Sequence, residues 1–586
     1  MCLRSPIHWR FLRVWYCLIG AFAPQMGFGQ ISGTVQDALS LEPLPGAIVQ
    51  VEGGRRGALT DSLGRFTISE TRGDQKLRLH ISYAGYEPYT VECEPGTILT
   101  IPLRSREGED IRITSEKPGL QYANTSIKTQ IVGREFMRTI PGNNGLMETI
   151  DYVNGMRQQI NCGVCGTNDI HINGMEGPYT LVLIDGMPIV SSLGSVYALN
   201  GIPQSMIERI EIIKGPAGAM FGAEAMGGVV NVVTRDPHRM PILGLDANAS
   251  SQGELNGDLA ASAKLGKATA LLSGNLHHLG NRIDHNADNF TDVPLSNRLA
   301  LFNKCTIARQ DHRIATLALK YYHEDRFGGE LQWQRGDEGS GTRYGESIQT
   351  RRWEALGSYQ LPISQENIRL DFSAADHFQD SYYGTTHFLA RQFHGYAALL
   401  WQKVAGRHSL QNGGTLRYNY YQDNTPATFY GADRSTLPGI FLQDEIELGN
   451  RLTALIGTRL DYHPQHRLIL SPRMNLRLRP TAFTNLRLTA GRGFRTVNLF
   501  TEEHSALTGA RRVLIVGNLS PEQSYNANLN CNHVFNIGSS AATVDVDAFY
   551  NYFSNRILPD YETDPAWIIY RNLAGHSEIR GLAAQW

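Results

Sequence analysis

Ile170-His171-Ile172-Asn173-Gly174 is followed by Val182-Leu183-Ile184-Asp185-Gly186-Met187-Pro188-Ile189. Next come Ile207-Glu208-Arg209-Ile210-Glu211-Ile212-Ile213-Lys214-Gly215-Pro216, then Phe221-Gly222, then Gly227-Gly228-Val229-Val230-Asn231-Val232-Val233-Thr234. The runs at 181–184, 210–213 and 229–233 are too short for helices and rich in Val and Ile. They read as buried strands of a compact mixed α/β unit. Asp185-Gly186 and Lys214-Gly215-Pro216 are tight-turn signals, where Gly supplies positive φ. Residues 203–209 read as a short helix entry feeding the second strand.

Downstream, from about residue 240, the pattern changes to alternating strands. In 452–462, Leu452, Ala454, Ile456, Leu460 and Tyr462 share one face. Thr453, Gly457, Arg459 and Asp461 share the other, with Leu455 the exception. In 485–490, Leu486, Leu488 and Ala490 oppose Asn485, Arg487 and Thr489. In 543–552, Val544, Val546, Ala548, Tyr550 and Tyr552 oppose Thr543, Asp545, Asp547 and Asn551. A charged face cannot pack against a dry core without partners. It can line a wet lumen while the apolar face meets lipid. Roughly eighteen such segments recur with no helical stretch between them, which points to a transmembrane antiparallel β-barrel.

Upstream, residues 31–103 show short β-branched runs punctuated by Gly, Pro and Asp, the pattern of a small β-sandwich. Residues 104–120 are polar and aperiodic and read as a linker. The first 29 residues combine Arg4, Arg10 and Arg13 with an apolar stretch at 14–23 and small residues before Gln30. That is a secretory signal, since about ten apolar residues fall short of the ~20 a spanning helix needs. No later run reaches that length, so membrane crossing rests on strands closed into a barrel.

Composition agrees. The 586-residue chain carries 59 Gly, 25 Tyr and 21 Phe, only 19% charged residues and a net charge of −2. The charge implies no nucleic-acid surface. Of seven cysteines, Cys2 and Cys17 leave with the signal. Cys93, Cys162, Cys165, Cys305 and Cys531 remain, an odd set that is no disulfide framework. No His-x-x-Glu pair, phosphate loop or nucleophile arrangement supports an enzyme.

The ordered words between 170 and 234 resemble the plug domain of TonB-dependent outer-membrane receptors. The family-like positions are Asn173, Gly174, Asp185, Gly186, Pro188, Lys214, Gly215, Pro216, Gly227, Gly228 and Asn231. The N-terminal unit is similar to the carboxypeptidase-regulatory-like domain that precedes many such receptors of the Bacteroidetes type. Three barrel words are also family-like: Gly439-Ile440-Phe441-Leu442-Gln443-Asp444-Glu445, Arg459-Leu460-Asp461-Tyr462 with Ser471-Pro472-Arg473, and Gly493-Phe494-Arg495 with Asn518-Leu519-Ser520-Pro521-Glu522. In the last, Thr496-Val497 stands where haem and siderophore receptors keep Ala-Pro, which weakens a haem reading.

The resemblance implies an organisation of signal peptide (1–29), β-sandwich (30–103), linker (104–120), plug (121–237) and barrel (238–586). The family's barrel has 22 strands, so the expectation is a chain incomplete at its C-terminus. Asp110-Ile111-Arg112-Ile113-Thr114 sits where the family keeps its TonB box, a segment that adds a strand to a periplasmic partner; a plain linker strand is the alternative. The implied partners are TonB with its ExbB/ExbD energising complex, the outer-membrane bilayer and a metal-chelate ligand. No intrinsic cofactor is implied.

Cys162-Gly163-Val164-Cys165 is unusual in a plug. Its first reading is a local disulfide stiffening a loop at the extracellular apex, favoured by an oxidising periplasm. The others are ligation of a soft metal, with His171 or a Met, and two buried thiols. His504 lies in the loop framed by the third barrel word. A solvated His is preferred there to a haem ligand. The expected function is import of a scarce nutrient complex through a gated plug, first a ferric siderophore, then haem or cobalamin. A glycan or peptide importer of the SusC kind, working with a lipoprotein partner, is an alternative disfavoured by length. A β-rich adhesin is a further one.

Overall fold

The computed structural model describes residues 29–586 apart from 39–42, 45, 53–56, 62, 72–76, 84–88, 95, 104–125, 141–145, 189–192, 194–200, 310–312, 365, 426–427, 429–430, 482, 498–510, 518 and 538–539. Residues 1–28 of the expected signal segment 1–29, the linker with its TonB-box candidate, and His504 therefore lie outside the described residues. The chain falls into two compact units, a small N-terminal one and a large one holding nearly all that follows residue 107.

In the small unit, Gly29–Asp37 pairs antiparallel with Arg65–Thr71 and parallel with Ile98–Leu103. A second sheet runs Gly57–Leu59, Ile48–Val51, Leu77–Ser82, Tyr89–Cys93. Ile31, Val35, Val49, Phe66, Leu79, Ile81, Ile101 and Leu103 are buried in one cluster. Period-2 alternation sends these side chains inward from both sheets, which makes a β-sandwich.

The large unit begins with a mixed five-stranded sheet in the order Met187–Pro188, Thr180–Ile184, Gly228–Thr234, Ile207–Lys214, Gln130–Gly133. Thr180–Ile184 and Gly228–Thr234 run parallel. The three strands expected from the Val/Ile runs are all present. The expected helix entry is a single 3-10 turn, Gln204–Met206, with residue 207 already in strand; β-branched Ile207 and Ile210 favour the extended form. A hairpin of Met156–Cys162 and Thr167–Ile172 stands beside this sheet. Two short helices, Arg134–Thr139 and Leu146–Ile150, cover it.

Sixteen strands then form one sheet, from Leu243–Ala249 through Thr484–Arg495 to Glu522–Ile537, Ser540–Asn555 and Ser577–Gln585. The ladders described in it are antiparallel, each joining a strand to the next one in the sheet, with Arg512–Ile515, Ile557–Asp560 and Trp567–Asn572 set aside in a separate small sheet. The count is somewhat below the roughly eighteen segments read from periodicity. Among the described residues no ladder joins Leu243–Ala249 to Ser577–Gln585. Burial in this sheet is inverted relative to a soluble protein. Arg459 and Asp461 are 2% and 1% exposed, whereas Ile456 on the same strand is 55% exposed. Asn485 and Arg487 are buried and Asp547 and Asn551 likewise, while Leu488 and Tyr550 face outward. The charged face lines the inside and the apolar face meets lipid.

The longest connections of this sheet, those between residues 279 and 295, 329 and 345, 495 and 522, and 555 and 577, join strands at one end, which also holds the short turns 250–253, 384–385 and 464–466. At the other end the connections are shorter, among them 266–267, 406–407 and 448–451, with the longest between residues 307 and 315. Outer-membrane barrels keep short turns on the periplasmic side and long loops outside. By that rule the end with the longest connections faces outward.

Candidate functional site

The plug words owe their residue types to turns and to a buried polar network. Asn173-Gly174 and Asp185-Gly186 each place two successive residues at positive φ, 51° and 74° and 48° and 79°. That is the type I′ geometry for which Asn-Gly and Asp-Gly are suited. Asp185 then accepts from the Thr234 amide at 2.8 Å and its hydroxyl at 2.6 Å. Asn231 accepts from the Gly186 amide and donates to Glu211, both at 2.9 Å. Burial pushes the Glu211 carboxyl upward, opposed by Arg209 at 2.8 Å. The Gly215 amide donates to Gly227, and Gly227 to Tyr179, both at 2.9 Å. A side chain at Gly228 would strike the Ile213 carbonyl at 2.3 Å. Lys214 donates to the Asn154 carbonyl, and burial pushes its ammonium down to about 8.

The inner wall holds this plug strand after strand. Lys304 reaches Asp185 at 2.9 Å, Ser373 donates to the Pro188 carbonyl at 2.8 Å, and Ser205 meets Asp258 and Ser273. Gln443 accepts from the Ala219 amide at 2.9 Å, and Glu445 from the Ser126 amide at 2.8 Å. Arg473 donates to the carbonyls of Ala217, Gly218, Gly222 and Ala225. Arg417 pairs with Glu224 at 3.1 Å. Lys128 bridges to Asp545 and, at 3.1 Å, to Asp547. Pro216 packs beside Gly491, where a side chain would approach it to 3.0 Å. Gly174 faces Ile579 of the last strand. Contacts thus run around the whole sheet, and the plug occupies its lumen.

The barrel words find their roles here. Gln443 and Glu445 of the first seat the plug loop and the residues leading into the plug. Arg473 of the second clamps the plug loop. The third pair lie opposite each other on neighbouring strands, Arg495 against Glu522, joined at 2.7 Å. The Phe494 amide donates to Ala223 at 3.1 Å, and Glu522 accepts from Tyr179 at 3.2 Å. Alternation placed Arg459, Asp461 and Asp547 on the wet face. Which wet residues would touch the plug was not legible, because the contacts join segments hundreds of residues apart.

At the long-loop end the hairpin of Met156–Cys162 and Thr167–Ile172 carries Cys162 and Cys165. The two stand as free thiols, so the expected disulfide is not formed in the structure. The Cys165 amide donates to Cys162 Sγ at 3.2 Å. Cys162 Sγ donates to Glu346 Oε2 at 3.2 Å, and Cys165 Sγ faces the Thr167 hydroxyl at 3.5 Å. The two sulfurs and a Glu346 oxygen lie within 4.8 Å of one another. His171 lies with Asp169, Nε2 to Oδ1 3.0 Å, away from the thiols. Exposed or half-exposed arginines lie over aromatic rings at the same end: Arg282 over Phe327 at 5.2 Å, Arg512 over Trp567 at 5.7 Å and Arg511 over Tyr561 at 5.8 Å.

A strand wall with a charged inside, an apolar outside and a folded domain filling the bore defines a plugged outer-membrane β-barrel. A family model for the TonB dependent receptor-like β-barrel matches residues 260–586, over half of the chain. The TonB-dependent receptor plug domain matches residues 122–229, and the CarboxypepD_reg-like domain residues 31–111. The chain belongs to the TonB-dependent receptor family.

Among curated relatives, the vitamin B12 transporter BtuB of Vibrio vulnificus is 24% identical over 474 residues, 78% of this chain and 72% of that protein. The ferric enterobactin receptor PirA of Pseudomonas aeruginosa is 37% identical over 120 residues, only 18% of this chain and 16% of that protein. Among solved structures, the siderophore receptor PirA from Acinetobacter baumannii superposes with a TM-score of 0.60 at 15% identity, covering 78% and 77% of the two chains. The siderophore receptor PirA from Pseudomonas aeruginosa gives 0.57 at 18% identity, covering 78% and 80%. At these identities the likeness concerns the fold.

Proposed function

We propose that this chain imports a ferric siderophore across the outer membrane by TonB-driven movement of the plug. The observation that carries the reading is the plug seated against the wall from Asp258 to Ile579: no cargo passes until that domain rearranges. Ligand binding at the long-loop end shifts the population of the 110–114 segment toward a state open to TonB, which pairs with it as an added strand. ExbB and ExbD energise TonB, and residues 1–29 direct export. Two observations support the cargo class. The matched siderophore receptors include two at 37% and 32% identity, over 120 and 140 residues. The Arg-over-aromatic pairs at the long-loop end suit an anionic aromatic chelate.

Cobalamin is the second reading, favoured by the extent of the match to the vitamin B12 transporter. Uptake of labelled ferric siderophores and cobalamin by a deletion strain decides between them. Loss of siderophore uptake alone supports the proposal, and loss of cobalamin uptake alone overturns its cargo. Deleting residues 110–114 is expected to abolish uptake with ligand binding intact. Unchanged uptake places the TonB box elsewhere.

A further inference from the structure

We infer that Cys162, Cys165 and Glu346 form a zinc site that ties the plug apex to the barrel wall. The two sulfurs and a Glu346 oxygen lie within 4.8 Å of one another. They come from two bodies: the sulfurs from the turn of the plug hairpin, the carboxylate from the wall strand Gly345–Gln360. Cys165 is 0% exposed and Glu346 2%.

The carboxylate itself points to a cation. Among the described residues its hydrogen-bond partners are the Cys162 thiol at 3.2 Å and the Tyr344 hydroxyl at 2.7 Å, both neutral, and no ion pair reaches it. A buried carboxylate without a cationic partner is costly. The nearby Arg326 guanidinium is committed elsewhere, to the carbonyls of Cys165 and Gly166 and to Glu324. A divalent cation between the sulfurs and Glu346 Oε2 gives the carboxylate a direct cationic partner, while the cluster with both thiols deprotonated keeps one net negative charge.

The donor set selects the ion. Two sulfurs favour a thiophilic metal, and one carboxylate disfavours Cu(I), which leaves zinc. Three protein ligands with the fourth position open to water is an established zinc arrangement. The surroundings fit. Tyr344 holds Glu346 Oε1 and leaves Oε2 free to face the sulfurs, a supporting contact of the kind that orients metal ligands. The Cys165 amide already donates to Cys162 Sγ, a bond that strengthens when the sulfur is anionic. Ile348, Tyr383 and Phe388 pack with Cys165 in one apolar cluster and restrict water. On binding, both thiol protons pass to solvent and two S–Zn bonds form; no oxidant or reductant is involved.

The test uses the full receptor isolated from outer membranes in detergent without reductant. Thiol labelling is expected to find Cys162 and Cys165 reduced or protected by metal. A disulfide between them overturns the site. Zinc titration against a chromophoric chelator is expected to show one ion per chain, and Co2+ in its place a thiolate-to-cobalt absorption band. Cys162→Ser or Cys165→Ser is expected to abolish the band, with heat-modifiable electrophoretic mobility verifying that the barrel is folded. Glu346→Gln is expected to weaken zinc at least about tenfold, and Tyr344→Phe about tenfold. Unchanged affinity in Glu346→Gln places the ion on the hairpin alone and overturns the tie to the wall. No dependence on either cysteine overturns the site. These readouts are independent of which cargo is transported.

Discussion

Arg473 offers the sharpest test of how the wall holds the plug. It is 3% exposed and grips a loop of the plug through four carbonyls. The bonds to Gly222, at 2.6 Å, and Ala217 are short, while those to Gly218 and Ala225 are 3.2 and 3.5 Å. Hydrogen bonds to a charged group contribute about 1.5–3 kcal/mol each, and the long pair adds little. Arg473→Met removes the two strong bonds. Water entering the polar lumen recovers part of that, leaving roughly 3 kcal/mol of lost hold on the loop. At 1.4 kcal/mol per tenfold, local opening increases about 100-fold.

Hydrogen exchange read by mass spectrometry on a peptide covering 216–227 is the assay. The protected amides there include those of Ala219, Phe221, Met226 and Gly227. Arg473→Lys keeps the charge and part of the bonding, and falls between wild type and Arg473→Met. Acceleration below about threefold in Arg473→Met, with the barrel folded, refutes the clamp and assigns the loop's hold to Gln443 and Arg417.

Three further outcomes follow from the same contacts. Asp185→Asn leaves Lys304 half-buried beside a neutral partner and is expected to cost about 3 kcal/mol, the lower range for a broken buried pair, read as earlier release of the plug in urea with the barrel retained. Ile456→Arg puts a charge on the lipid face and is expected to destabilise the barrel by about 2–4 kcal/mol if it sits at mid-bilayer; unchanged unfolding in lipid bilayers removes this face from the membrane. Lys214 has its proton affinity depressed by burial to about 8 from the ordinary 10.5. The unfolded chain therefore binds more protons between those values, and stability rises with pH across that window and is lost as pH falls through 8. The melting temperature of wild type minus that of Lys214→Met, followed from pH 7 to 10.5, is expected to increase.

Much of the fold was legible because periodicity reports burial. Arg459, Asp461, Asn485, Arg487, Asp547 and Asn551 were placed on a wet face, and all are buried inside the bore. The Val/Ile runs marked the plug strands, and Asp185-Gly186 its hairpin turn. The helix entry at 203–209 is shortened to the turn Gln204–Met206, because Ile207 and Ile210 belong to the sheet. The thiol pair was expected to bond because of its i,i+3 spacing and an oxidising periplasm. The structure gives each sulfur another partner, and one of those, Glu346, lies 184 residues away.

Local choices were legible in the residues: which of them turn, and which side of each strand tolerates charge. These follow from side-chain volume, branching and polarity within a few residues. That Arg473, Lys304, Lys128 and Glu346 are among the residues where plug and wall meet emerges only from the folded chain. The reason is geometric. Curling sixteen antiparallel strands around a separate domain brings together groups whose separation along the chain carries no local signal, and the energy of each contact exists only once both bodies are in place.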